Sequence, residues 1–271
     1  MAEFVFSKGY VEALVRQNQP SRLYKYRSLA GTAADFCEAI VVRSEVYFAK
    51  PDELNDPFDC RPHNTLESSA AERRAFWTWV TKGREPHLSR KARRARVVEI
   101  SAWMSTRIQR EGFDGVAQAA YDHNLRDTGV LSLSAEPRSN LMWSHYGDAH
   151  RGICVEFDFE ALKPLCPLPV TYSNDRPSYN MMKDVTALGE LAFLRKSSEW
   201  EYEQEWRAVG LWWSGPFRLP ADAVSGIILG AGISADDRKR VMEWVAASSR
   251  RLDVRQARFE SKSYALTFGA I

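Results

Sequence analysis

One stretch constrains this chain more than any other. From Glu67 to Asn124 it is charged, carries Ala, Arg and Trp, and holds few helix breakers. That composition predicts helix almost throughout. The flanking segments read differently. Arg22–Arg27 alternates like a strand, and Ser44–Phe48 is built on the β-formers Val46, Tyr47 and Phe48. Beyond the stretch, strands are expected over Gly129–Ser134, Gly152–Phe159, Leu168–Tyr172, Glu205–Trp213, Val224–Leu229, Val254–Phe259 and Tyr264–Phe268. A two- or three-helix insertion at about 67–124 therefore interrupts a β core. Further helices are expected at Tyr10–Val15, Ala30–Val42, Met181–Phe193 and Ser234–Ser248, the last with a Ser N-cap and an acidic first turn. Strands and helices do not alternate as a doubly wound sheet requires, which leaves the α+β class.

The 271 residues suit one elaborated domain over 1–271. With 45% hydrophobic and 27% charged residues the chain is ordinary globular material. No run is long enough to span a bilayer, and the start lacks the layout of a signal peptide. Cys37, Cys60, Cys154 and Cys166 form neither a CxxC pair nor a zinc spacing, and Cys154 lies in an apolar run that predicts burial. A cytoplasmic protein without a membrane partner is expected. The net charge of +2 does not by itself imply nucleic-acid binding. The basic run Arg84–Arg96 has two readings, a solvated helix face or a patch for an acidic partner such as nucleic acid. No GxGxxG opens a helix after a strand and no GxxxxGK[ST] occurs; Gly230-Ala231-Gly232 reads as a turn.

Four motifs could carry chemistry. In Leu23-Tyr24-Lys25-Tyr26-Arg27 a strand puts Lys25 and Arg27 on one face, suited to a phosphate or carboxylate, and Tyr24 and Tyr26 on the other. Asn55-Asp56-Pro57-Phe58-Asp59 is turn chemistry, a rigid loop unless Asp56 or Asp59 reaches a pocket or orients a cation. Around Met142-Trp143-Ser144-His145-Tyr146, Trp143 and Tyr146 fall on one side of a short helix, as core or as walls for a flat ring. His145 points elsewhere and needs a partner to act as acid or base. In Trp200–Arg207, extended backbone would put Glu201, Glu203, Glu205 and Arg207 on one face. Such a face is tolerable in water, as an exposed acidic strand, or where Arg207 and other cations pair with it, and its repulsion would raise a carboxylate toward general-base duty. Trp200 and Trp206 bracket these acids, as in a lined cleft.

In order, these motifs resemble a bacterial family, domain of unknown function 2971. The matching segments are Leu23–Arg27, Asn55–Phe58, Leu131–Ser134, Met142–Tyr146, Gly152–Phe157 and Trp200–Arg207. A more distant resemblance is to ADP-ribosyltransferases. It implies a split mixed or antiparallel β core, here with a helical insertion. The first strand is similar at Leu23-Tyr24-Lys25, with Lys25 where Arg or His is usual. The middle element has two candidates, Val46–Ala49 with Tyr47, and Leu131–Tyr146 with Ser134. Glu203-Gln204-Glu205 resembles the E-x-E turn.

That resemblance implies Glu205 as catalytic acid with Glu203 assisting, and NAD as substrate. Lys25 or Arg27 would hold the pyrophosphate or ribose, and Tyr47 or Tyr146 would stack on nicotinamide. Tyr26, Ser134, Trp143, His145 and Arg207 complete the cofactor-binding set, and Asn55, Asp56 and Asp59 form a structural or substrate loop. The acceptor would be protein or nucleic acid, in a toxin or phage-defence effector. Two other readings remain open: a metal-assisted nuclease or phosphodiesterase using Asp56, Asp59, Glu203, Glu205 and His145, although no paired metal-ligand motif stands out, and a non-catalytic module sensing a nucleotide ligand.

Overall fold

The computed structural model of the chain describes residues 19–183, 187–220 and 222–271. The helix expected at Tyr10–Val15 lies outside the described residues. The first half holds β1 (Arg22–Arg27), α1 (Ala33–Arg43), β2 (Glu45–Phe48), β3 (His63–Thr65), α2 (Ala70–Arg84), α3 (Arg90–Leu125) and β4 (Gly129–Ser134). Then come α4 (Asn140–His145), β5 (Ile153–Asp158), α5 (Phe159–Leu162), β6 (Leu168–Pro169), β7 (Thr171–Ser173), β8 (Ser178–Asn180), α6 (Leu188–Phe193) and β9 (Arg195–Ser197). The chain closes with β10 (Glu205–Gly210), β11 (Gly215–Arg218), β12 (Val224–Leu229), α7 (Ala235–Ala247), β13 (Asp253–Phe259) and β14 (Leu266–Ala270).

Eight strands make one sheet in the order β14-β13-β12-β5-β1-β4-β10-β6. β12 and β13 run parallel and the other neighbours antiparallel, so the fold is α+β around a mixed sheet. Alternation along the strands sorts two layers. Leu23, Val155, Phe157, Ile227 and Trp206 face the larger core, built with α1, α7 and β2. Tyr26, Cys154 and Ile228 face a smaller one with Met142 and Trp143. Cys154 is fully buried there, as its apolar run predicted.

The insertion is a pair of helices, the second kinked at Gly112, whose φ of 77° leaves the helical region. Ser69 and Ser89 cap their N-termini. The pair has its own small core of Leu66, Phe76, Met104, Val116, Ala117 and Met182.

Three sequence expectations need correction. The strand expected over Glu205–Trp213 ends at Gly210, where the chain turns and leaves the main sheet to pair with β2 through β11. Leu168–Tyr172 is not one strand: Leu168 and Pro169 pair with β10, whereas Thr171–Ser173 pair with β9, so the chain changes partner in between. Of Met181–Phe193, residues 184–186 lie outside the described residues, and only Leu188–Phe193 is helix, preceded by the strand Ser178–Asn180. Gly230 and Gly232 make a turn that packs backbone to backbone: Gly230 N–H donates to Gly152 O and Gly232 N–H to His150 O, both at 2.9 Å.

The sheet parts at one seam. β1 pairs with β5 through all six of its residues, and β4 pairs with β10 through all six of its own. Between β1 and β4 only Tyr24 and Ser134 are in register. At the other end of β4, Val130 exchanges backbone hydrogen bonds with Ala49, just after β2, at 3.0 and 2.7 Å. The edge of β4 is thus shared by two strands that diverge, and a fork opens between them.

Candidate functional site: a charged cleft in the fork of the sheet

A cleft of about 410 Å³ fills this fork. Alternation puts Lys25 and Arg27 on the sheet face that carries Leu23, and Ser132, Ser134, Glu205 and Arg207 on the opposite face. The open seam lets residues from both faces line one space. Lys25 Nζ crosses it to donate to Ser132 O at 2.8 Å, a carbonyl that a continuous sheet would have paired.

The Trp200–Arg207 motif reaches the cleft by a route that alternation does not describe. Ser198–Glu203 is a 3₁₀ turn, ended by Gln204 in the left-handed region at φ 42°. Extended backbone starts only at Glu205. The one-face expectation therefore holds for Glu205 and Arg207, with Trp206 turned into the core against Phe159, and fails for Glu201, which is exposed. Glu203 still arrives beside Glu205, because the turn folds it back and Ser134 Oγ pins its carbonyl at 2.6 Å.

Behind the cleft lies a buried ion network. Arg207 Nε and Nη2 grip Glu205 at 2.7 and 2.8 Å, while Nη1 and Nη2 grip Asp59 at 2.8 and 2.6 Å. Nη1 also donates to Phe193 O at 3.0 Å. Lys196 Nζ contacts Glu203, Glu205 and Asp59 at 2.5, 3.1 and 3.7 Å, with Trp200's ring 5.0 Å away. Three carboxylates face two cations. Burial alone would push the Glu205 carboxyl up, but Arg207 and Lys196 outweigh it and hold it at about 2. Glu203 moves the other way: burial raises it, and the charge of Glu205 adds to this against the pull of Lys196.

The two acids differ in acceptor capacity. A carboxylate offers about four lone-pair sites. Glu205 receives Arg207 twice, Lys196 once and Ser132 as well, and is saturated. Glu203 receives Tyr146 OH at 2.7 Å and Lys196, which leaves it capacity toward the cleft. Asn55 Nδ2 donates to Tyr146 OH at 3.1 Å, so the phenol accepts from Asn55 and points its own O–H at Glu203 as a hydrogen-bond donor. Burial, then that bond, keep the Tyr146 hydroxyl protonated far above its usual range.

The two β1 cations that line the cleft, Lys25 and Arg27, have no such partners. Among the described residues Arg27 forms no ion pair; its Nε is buried without a hydrogen bond, and its guanidinium lies 5.9 Å from the Phe36 ring. Withdrawal from water, with Arg27's charge adding to it, lowers the Lys25 ammonium to about 7.

The structure thus brings Lys25, Arg27, Tyr47, Ser134, Tyr146, Asn55, Asp59, Glu203 and Glu205 to one cleft. Others of the expected set serve elsewhere. Trp143 is 0% exposed, donates to Pro137 O at 3.0 Å and packs edge-on to Tyr26, so it cannot wall a ligand site. Tyr26 touches the cleft, but its hydroxyl is spent on Glu136 O at 2.6 Å. His145 is exposed and pairs with Tyr202 OH at 2.9 Å. Arg207 sits wholly behind the acids. Asp56 holds its own loop through Phe58 N–H, the turn role, while the same loop delivers Asn55 and Asp59. Lys196 was missed. Pairing of the acids with cations besides Arg207 was one of two readings, but Arg195-Lys196-Ser197 carries no pattern that singles Lys196 out. No group of three or more His, Cys, Asp or Glu among the described residues is arranged to hold a metal ion. The clustered acids are already interleaved with Lys196 and Arg207.

Fold and site together define an α+β protein with a forked mixed sheet and a charged inter-strand cleft. Residues 142–208 match the model of a family described as Protein of unknown function (DUF2971). The span runs from Met142 past Arg207 and so covers Tyr146, Lys196, Glu203 and Glu205. No curated protein and no solved structure matches the chain. No helix among the described residues is long and apolar enough to cross a membrane.

Proposed function

We propose that the cleft binds NAD and breaks its nicotinamide–ribose bond, in the manner of an ADP-ribosyltransferase or NAD glycohydrolase. One observation carries this reading: the unpaired Arg27 and the desolvated Lys25 line the same cleft as Glu203, an acid with acceptor sites to spare. The cations suit a pyrophosphate. Tyr47 and Phe36, 5.7 Å apart, offer an aromatic wall. Glu203 can accept a ribose hydroxyl and stabilise the cationic sugar that forms as the C–N electron pair leaves with neutral nicotinamide. An acceptor hydroxyl then attacks the sugar and gives up its proton. The raised carboxyl of Glu203 suits it to take that proton. This reading transfers the lead from Glu205 to Glu203. Glu205, saturated and held near 2, fixes Lys196 and Arg207 in place.

The metal-assisted reading has less support, because Lys196 and Arg207 already occupy the carboxylate oxygens a cation would need. The test separates the two acids. Purified protein incubated with NAD is expected to release nicotinamide. Glu203→Gln should lower the rate at least about 100-fold, the scale of general-base loss, with little change in melting temperature, since a raised carboxyl loses little on neutralisation. Glu205→Gln should cost about 3–5 kcal/mol in urea denaturation by stranding buried cations. Absence of both nicotinamide release and any NAD-induced thermal shift overturns the proposal. A thermal shift without release would mark a nucleotide sensor instead.

A further inference from the structure

The helical insertion carries a second concave surface that the cleft does not use. A groove of about 990 Å³ runs between α2 and α3. Arg73, Arg74 and Lys82 line it from α2, and Arg90, Arg93 and Arg94 from α3. Arg74 and Lys82 are eight residues apart, and Arg93 and Arg94 follow Arg90 by three and four, spacings that share a helix face; Arg73 flanks Arg74 at the groove's edge. No acidic residue lines the groove. Among the described residues none of these six cations forms an ion pair.

The contrast with the rest of α3 is informative. Arg96 pairs with Glu85 and Glu99, and Arg107 and Arg110 pair with Glu111. Arg84 and Lys91, outside the groove, have no ion pair among the described residues either; inside it Arg73 and Arg93 donate to the carbonyls of Ser68 and Leu88, and none of the six meets a carboxylate. Six uncompensated cations along two helices repel one another, and the opposite charge that relieves them must come from outside the chain. Thr78, Ser101 and Ser105 add hydroxyls along the same walls.

We infer that this groove binds single-stranded nucleic acid along its phosphodiester backbone. The 15 residues of α2 give a wall roughly 22 Å long, enough for several successive phosphates. Spread along that wall, about 990 Å³ gives a cross-section wide enough for one strand and too narrow for a duplex. The inference is independent of the chemistry assigned to the cleft.

The test uses the full chain and a fluorescein-labelled 20-nucleotide oligo-dT, read by anisotropy. Binding is expected at 50 mM NaCl. If all six cations meet phosphates, the slope of log affinity against log salt is about −4, a loss of a few hundred-fold by 200 mM. The triple variant Arg74→Glu/Arg90→Glu/Arg94→Glu changes three exposed side chains. It should weaken binding at least about 30-fold with an unchanged thermal melt, whereas Arg27→Ala in the cleft should leave it unaltered. No binding at 50 mM NaCl overturns the inference. So does binding that survives the triple variant, or tighter binding to phosphatidylserine vesicles or polyglutamate than to the oligonucleotide.

Discussion

Lys25 and Glu205 are both withdrawn from water, and burial favours the neutral form of each. Their neighbours decide the outcome. Arg27 repels the Lys25 ammonium and its proton becomes labile near neutrality, while Arg207 and Lys196 keep Glu205 ionised. The folded pKa of Lys25 lies below its unfolded value of about 10.4, so the unfolded chain holds the extra proton between about 7 and 10.4. Through this group, stability rises with pH across that window. Ligand binding responds the opposite way, because an anion prefers the charged lysine. NAD, whose pyrophosphate does not titrate between pH 6 and 8, is expected to bind several-fold more tightly at pH 6 than at pH 8. Calorimetric titration should show that difference in the wild type and not in Lys25→Met. At this scale much of the site could be read from residue order alone. Strand alternation predicted that Lys25 would share a face with Arg27, and Glu205 with Arg207. It could not predict Glu203, whose position depends on one left-handed residue, Gln204, or Lys196, which is defined only by the acids around it.

Elements whose pattern is local were legible to the residue. β1, β4 and β12 begin and end where alternation and β-forming residues indicate. The three-residue strands β3, β7, β8 and β9 were not, because three residues show no period and their pairing partners are distant in sequence. The contact that sets β1 against β5 depends on Gly152. A Cβ built there would lie 2.0 Å from Arg27 O, a backbone atom that cannot swing aside. Gly152→Ala is therefore expected to cost about 3 kcal/mol or more, at the upper end of overpacking penalties, and to displace Arg27. Chemical denaturation measures the first effect. The second appears as loss of the NAD-induced thermal shift, even under conditions where the variant is folded.

In the whole molecule, hydrophobic packing falls into separate clusters. The central strands β1, β5 and β12 lie between the two layers of the sheet, whereas α2 and α3 depend on a small core of their own. Local stability should follow that division. Native-state hydrogen exchange is expected to be slowest at Val155, Ile227 and their neighbours, and faster by orders of magnitude along α2 and the first half of α3. Uniform protection across sheet and insertion would contradict it. The sequence announced the insertion as helix but not that it would carry its own core, since Leu66 and Met182, which complete it, lie outside the helical stretch.

The fork in the sheet has one consequence that concerns main chain rather than side chains. A strand edge is normally found at the periphery of a sheet, where it invites unwanted association. Here two partial edges, those of β1 and β4, are turned inward to face each other across a narrow space. The amide and carbonyl groups left unmatched there are supplied by every residue type except proline, whose N–H is missing. A molecule held by them would be recognised through backbone geometry, and that part of the recognition would survive wide change in the amino acids lining the cleft.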